Sequence, residues 1–188
     1  MEPIAWLAII FEGGLLLLAF ILGWWNDSPL LEQIHLNGRA LIWGILATIP
    51  LLLILAYLQR SHWGPFRRLC LEVENEVIPL FAGCSTLQLG IISVLAGAGE
   101  EALFRGVIQT GLSEIIHPWL ALTAASLLFG LGHWITPTYA IVAGIVGGYL
   151  GLTAMASNNL LVPMLAHALY DFLALSALLH QYRNQVTD

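Results

Sequence analysis

Apolar runs about as long as a bilayer crossing recur along this chain, and they constrain its fold more than any other feature. In hydrocarbon, backbone polar groups must be satisfied within the protein, so a run of roughly 20 apolar residues reads as a transmembrane helix. Six runs are readable: about Ile4 to Trp25, Ala40 to Leu58, Leu80 to Leu112, Pro118 to His133–Trp134, Tyr139 to Ala156, and Leu160 to Leu179. The expected fold is all-α, a polytopic transmembrane helical bundle of about six spans, with residues 1–188 forming one membrane domain. Residues 1–79 would hold two spans and a cytoplasmic or interfacial connection, and 80–180 the core spans. Composition agrees: 59% of residues are hydrophobic and 10% charged, against about 25% charged in soluble domains. With no basic stripe and no aromatic–basic interleaving, no nucleic acid partner is expected.

The first run is preceded by Met1-Glu2-Pro3, without positive charge, and ends in Trp24-Trp25 rather than a small-residue cleavage site. It reads as a span with an interfacial aromatic end, not as a removable signal. Glu12 inside it reads first as a bundle-facing residue. Between the second and third runs, Arg60, Arg67, Arg68, Glu72, Glu74 and Glu76 are interleaved with Leu69, Leu71, Val73, Val77 and Ile78. An interfacial amphipathic helix is expected there. The third run is too long for one straight crossing, so a tilted or broken helix is expected, with Gly83, Gly90, Gly97 and Gly99 permitting bends and close approach. Gly144, Gly147, Gly148 and Gly151 form small-xxx-small ridges on the fifth. All six basic residues are arginines, and three lie between the second and third runs. The positive-inside rule puts that connection and both termini in the cytoplasm; Arg183 agrees and Arg39 opposes. Small size and the lack of a targeting region point to a prokaryotic inner membrane. Cys70 and Cys84, not in a CxxC pair, read as small apolar residues.

The stretch Gly99-Glu100-Glu101-Ala102-Leu103-Phe104-Arg105 puts three ionisable side chains in the middle of the third run. A charge at a helix centre costs about 2.5–3.5 kcal/mol on insertion scales, so these residues have a reason to be there. Glu101 and Arg105, four apart, share a face in the favourable order for an ion pair. Glu100 is rotated by about 100° and cannot share that pairing as easily. One carboxylate is thus structural and the other free for chemistry, and a lone carboxylate in low dielectric is suited to accept a proton near neutral pH. Phe129 and His133 share a face of the fourth span, and His167 and Asp171 a face of the sixth. Asp171 can accept from one imidazole nitrogen and leave the other facing the site. A single intramembrane His is often only a hydrogen-bonded packing residue. The combination of Glu100, His133, His167 and Asp171 on otherwise apolar spans is what carries a functional reading, since desolvation is costly unless they meet. His35, His62, His117 and His180 fall at span ends or connections.

Glu100-Glu101-x-x-x-Arg105, Phe129-x-x-x-His133 and His167-x-x-x-Asp171 resemble, in order, the three motifs of the CAAX protease and bacteriocin-processing (CPBP/Abi) family. These intramembrane endopeptidases include the Ras-converting CAAX enzyme. The resemblance covers about Gly83 to Leu175 and implies that Glu100 activates the attacking water and His133 helps to hold it. His167 and Asp171 would stabilise the oxyanion or bind a metal; Glu101, Arg105 and Phe129 would support the site. The last motif position is Asn in some members and Asp here. Ionised Asp cannot donate to an oxyanion, so Asp171 fits better as an orienter of His167 or a metal ligand. Glu100, His133, His167 and Asp171 would also suit zinc, which leaves the glutamic and metal-dependent mechanisms both open. The implied partners are the lipid bilayer and a membrane-anchored or membrane-inserted peptide or protein: a prenylated C-terminus, a leader peptide, or the anchor of a sorting signal. No His-Glu-x-x-His pair or Gly-x-Ser-x-Gly elbow is present. A proton- or metal-coupled carrier, and a catalytically silent scaffold or immunity protein, are the alternatives from other classes.

Overall fold

Local signals set the helix boundaries in the computed structural model, which describes residues 3–187. Met1 and Glu2, in the flank of the first run, and Asp188 at the chain's end lie outside the described residues. Helix α1 covers Pro3–Trp25 and stops before Asp27, whose φ of 50° is left-handed. Helix α2 covers Gly38–Arg60; the Asn37 side chain caps it by accepting from the Ala40 N–H at 2.9 Å. Pro50 lies within α2 without ending it. Helix α3, Gly64–Phe81, and helix α4, Thr86–Ser113, meet at a bend of 115°. A capping box starts α4: the Gln88 N–H donates to Ser85 Oγ (3.3 Å), and the Ser85 N–H to Gln88 Oε1 (2.7 Å). Helices α5, Pro118–Gly132, and α6, Pro137–Ser157, each begin with proline, whose missing N–H needs no partner in a first turn. Asn158, at φ 48°, ends α6, and α7 covers Leu161–Thr187.

Helices α1, α2, α6 and α7 are long and apolar enough to cross a membrane, and the bent pair α3–α4 makes a fifth if taken as one span. The expected third span differs in its start. Leu80 and Phe81 end α3, and the chain turns over residues 82–85 before α4 begins. The expected amphipathic segment is α3 itself: Leu69 and Ile78 are buried, while Arg67, Arg68 and Glu76 are exposed. The fourth apolar run forms only 15 helical residues, about 22 Å at 1.5 Å per residue, short of a full crossing. Large apolar side chains such as Phe11, Ile42, Trp43 and Ile141 stay exposed on outer faces. Such patches suit lipid rather than water.

At the centre, α4 packs against α1 on one side and α7 on another. The contacts are close because the residues there are small. A Cβ on Gly97 would lie 2.7 Å from both Met164 O and the Ala168 backbone N of α7; one on Gly99 would lie 2.7 Å from Glu12 O of α1. Residues 97–99 therefore press α4 between two backbones just before Glu100. On α1 itself, Gly13 has nothing within 4 Å of its Cβ position. Gly97→Val is expected to cost about 1–3 kcal/mol by overpacking and to lower the melting temperature of detergent-purified protein. Gly13→Ala, measured alongside, should leave it unchanged or raise it.

Candidate active site

The polar residues of three motifs meet between α4, α5 and α7. The backbone after Glu101 leaves regular α geometry and winds as a π-helix over Ala102–Gln109. Such segments are frequent at functional sites, and this one carries Arg105 into the interior, where it is 2% exposed. Arg105 Nη1 donates to Glu101 Oε1 at 3.1 Å and Nη2 to the Gly147 carbonyl at 2.7 Å. Its guanidinium also lies 4.4 Å from the centre of the Phe129 ring. Gly147 permits this approach, since a Cβ there would sit 3.1 Å from Arg105 Nη2 and 3.0 Å from the Phe129 ring. The planar fork thus has a carboxylate, a carbonyl and an aromatic face, a set that a point-charge ammonium does not match.

Glu101, fully buried, serves two donors through one oxygen. Besides Arg105, Oε1 accepts from His167 Nδ1 at 2.9 Å. The other ring nitrogen of His167, Nε2, lies 3.5 Å from Asp171 Oδ2. The sequence leads one to expect a single oriented nitrogen on His167; in the fold both nitrogens face carboxylates. The reason is that Glu101 is too deeply desolvated to be balanced by Arg105 alone.

Glu100 points elsewhere. Its Oε2 lies 3.5 Å from His133 Nε2 and is buried without a hydrogen-bond partner among the described residues. His133 Nδ1 lies 2.8 Å from Phe129 O. A carbonyl only accepts, so Nδ1 carries the hydrogen and Nε2 is the nitrogen turned toward Glu100. The His133 ring stacks on Phe129 at 4.4 Å between centres, and Phe129 meets His167 edge-on at 6.1 Å. One aromatic ring therefore spaces Arg105, His133 and His167. His133 follows the last residue of α5 and still reaches mid-helix Glu100, because α5 is short.

Two further elements contribute residues that motif spacing did not single out. Tyr139, near the start of α6, lies parallel to His133 at 6.4 Å. Tyr139 and Tyr170 are close enough to Asp171 to interact with it electrostatically. Glu12 of α1 interacts in the same way with Glu100, His167 and Asp171. Its presence in an apolar run was the available signal; nothing in the spacing tied α1 to α4. Among the described residues, no three His, Cys, Asp or Glu side chains converge as metal ligands would.

The architecture and the site define a class: a polytopic helical membrane protein with ionisable residues from several helices gathered in its interior. The model of the Rce1-like family, the type II CAAX prenyl endopeptidases, matches residues 82–173. That stretch, just under half of the chain, runs from the turn before α4 into α7, and over it the chain is similar to this family of CAAX-type proteases. No curated protein and no solved structure matches the chain.

The charges of Glu101, Arg105 and His167 hold one another in place. Arg105→Met should lower stability by about 3–5 kcal/mol, the usual cost of leaving a buried charge without its partner. Adding Glu101→Leu should restore more than half of the loss. Thermal unfolding of both variants in detergent checks this.

Proposed function

We propose that the chain is an intramembrane endopeptidase that hydrolyses a peptide bond in or near the bilayer, with Glu100 as the base. The supporting observation is the contrast between adjacent carboxylates: Glu101 Oε1 is tied to Arg105 and His167, its Oε2 alone being unbonded, whereas Glu100 has no hydrogen bond to a described residue and its Oε2 lies buried 3.5 Å from His133 Nε2. That separation is long for a direct hydrogen bond. A water donating to both atoms would have its lone pair free for a scissile carbonyl.

In the first step the water oxygen bonds to the carbonyl carbon and one O–H bond breaks, its proton passing to the Glu100 carboxylate. The carbonyl oxygen becomes an oxyanion. His167, carrying a hydrogen on each nitrogen, is held at Nδ1 by Glu101, and its Nε2–H, which faces Asp171 at 3.5 Å in the free site, turns to that charge. An ionised Asp171 has no hydrogen to give, so the donor role falls to His167. In the second step the C–N bond breaks and the proton on Glu100 moves to the leaving amine. The substrate is a membrane-anchored or membrane-inserted peptide, and a prenylated C-terminal peptide is the form that the family's description names.

The site lies in the inner membrane of a prokaryote in this reading. Arg60, Arg67 and Arg68 flank or lie on α3, and Arg183 Nη2 donates to Ala82 O (2.8 Å) and Cys84 O (2.9 Å) beside it. Four arginines thus share one end of the bundle, which becomes the cytoplasmic end with both termini. A fluorescent protein that matures only in the cytoplasm should be bright when fused after Asp188.

Mass spectrometry of protein termini in cells carrying wild type or Glu100→Gln tests the activity. New termini are expected with wild type only. Purified Glu100→Gln should keep the wild-type melting temperature, and His133→Gln should lose about 10²–10⁴ in turnover. Identical termini, with both forms stably expressed, would move the balance to a carrier or a silent scaffold.

A further inference from the structure

Glu12 is a half-buried ionisable side chain that this mechanism leaves unused. It stands in the middle of α1, an apolar helix, where an ionised carboxylate carries an insertion cost. Glu101 offsets that cost with two donors, and Glu100 faces His133. Glu12 makes no hydrogen bond or ion pair with any described residue, and its Oε2 is fully enclosed. Its placement is nevertheless fixed. The backbone carbonyl of Glu12 is the atom that a Cβ on Gly99 would approach to 2.7 Å, so α1 and α4 are locked together one residue before Glu100. The side chain is close enough to Glu100, His167 and Asp171 to interact electrostatically with all three.

A buried acceptor without a donor costs free energy until something supplies one. Intramembrane hydrolysis brings such a donor. A peptide bond inside a helix has its carbonyl occupied by the i−4 ladder, so a segment must be extended before water can reach it. Extension frees backbone N–H groups in a place without bulk water, each at a cost of several kcal/mol unless the protein accepts it. We propose that Glu12 is a substrate-positioning residue: its carboxyl group accepts a backbone N–H of the extended peptide next to the scissile bond. α1, which lies outside the residues matched to the family, thereby becomes one wall of the substrate site. This inference rests on the proteolytic reading above.

The test uses full-length protein in liposomes and an internally quenched, farnesylated peptide ending in Cys-aliphatic-aliphatic-Met. A companion series replaces each non-scissile backbone N–H in turn with an ester oxygen. Cleavage is followed with wild type, Glu12→Ala and Glu12→Gln, and binding of the same peptides with Glu100→Gln alone and combined with each Glu12 change. Glu12→Ala should raise KM, and weaken binding, by about tenfold with a smaller change in kcat. Glu12→Gln keeps a carbonyl acceptor and should stay within about threefold of wild type. One ester position should weaken wild type by about tenfold and Glu12→Ala no further. The assignment is overturned if Glu12→Ala cleaves and binds as wild type does, or if every ester costs both proteins equally. Should Glu12→Ala not fold, the wild-type ester series decides, because a loss at no position overturns it too. A peptide neither cleaved by wild type nor bound by Glu100→Gln removes the prenyl-peptide reading, and Glu12's assignment with it. Cleavage by wild type with no effect at Glu12 removes the assignment alone.

Discussion

The Glu101 carboxylate, fully buried and shared between Arg105 and His167, is the interaction on which the rest of the site depends. Its environment is one where isolated charges are too costly to keep, so each partner is held by more than one group. Arg105 reaches across to the Gly147 carbonyl and lies on Phe129; His167 reaches back toward Asp171. The outcome is a cross-link between α4, α6 and α7 made of polar contacts in an otherwise apolar bundle. Rigid helices set the backbone positions, and this knot sets the side chains. In the proposed reaction a water would meet groups whose orientation has already been fixed, the condition under which electrostatic stabilisation of a transition state is most effective.

Packing supplies the other half of the constraint. Gly97 and Gly99 let α7 and α1 close on α4 at backbone distance immediately before Glu100. The π-helical segment begins directly after Glu101 and carries Arg105, which pairs with Glu101 and not with Glu100. Short α5 has a related consequence: its C-terminal end falls inside the bundle, which lets His133 approach Glu100 from a helix end rather than a helix face. Backbone irregularity at membrane depth is tolerated where protein surrounds it. Here the irregular places, residues 102–109 and 133–136, border the functional cluster.

Much of this was legible from residue order. Four apolar runs became crossing-length helices, three close to their expected limits and the last running past Leu179 to Thr187. The Glu101–Arg105 pair followed from its four-residue spacing. What could not be read was everything that depends on which helix lies beside which. His167 pairing with Glu101, 66 residues away, is one case. Glu12 approaching the cluster is another, because hydropathy describes how a helix meets lipid and says little about its neighbours. The break before α4 was foreseen only as a bend somewhere in a long run. Its position is set by the Ser85–Gln88 capping box, a short-range signal hidden by the apolar residues around it.

The adjacent glutamates show why two carboxylates side by side on one helix differ in chemistry. Successive residues point about 100° apart, so the two face different helices. Glu101 faces α6 and α7, where Arg105 and His167 converge on it; Glu100 faces the end of α5, where His133 has its other nitrogen committed to the Phe129 carbonyl. The first environment supplies donors and fixes a charge. The second supplies no hydrogen bond from a described residue, so a water or a substrate N–H entering there gains more than it would from a solvated carboxylate. Exchanging the two roles would require moving Arg105 and His167 together. The division is therefore begun by the Glu101–Arg105 spacing and completed by the α4–α7 packing, which brings His167 to the same carboxylate.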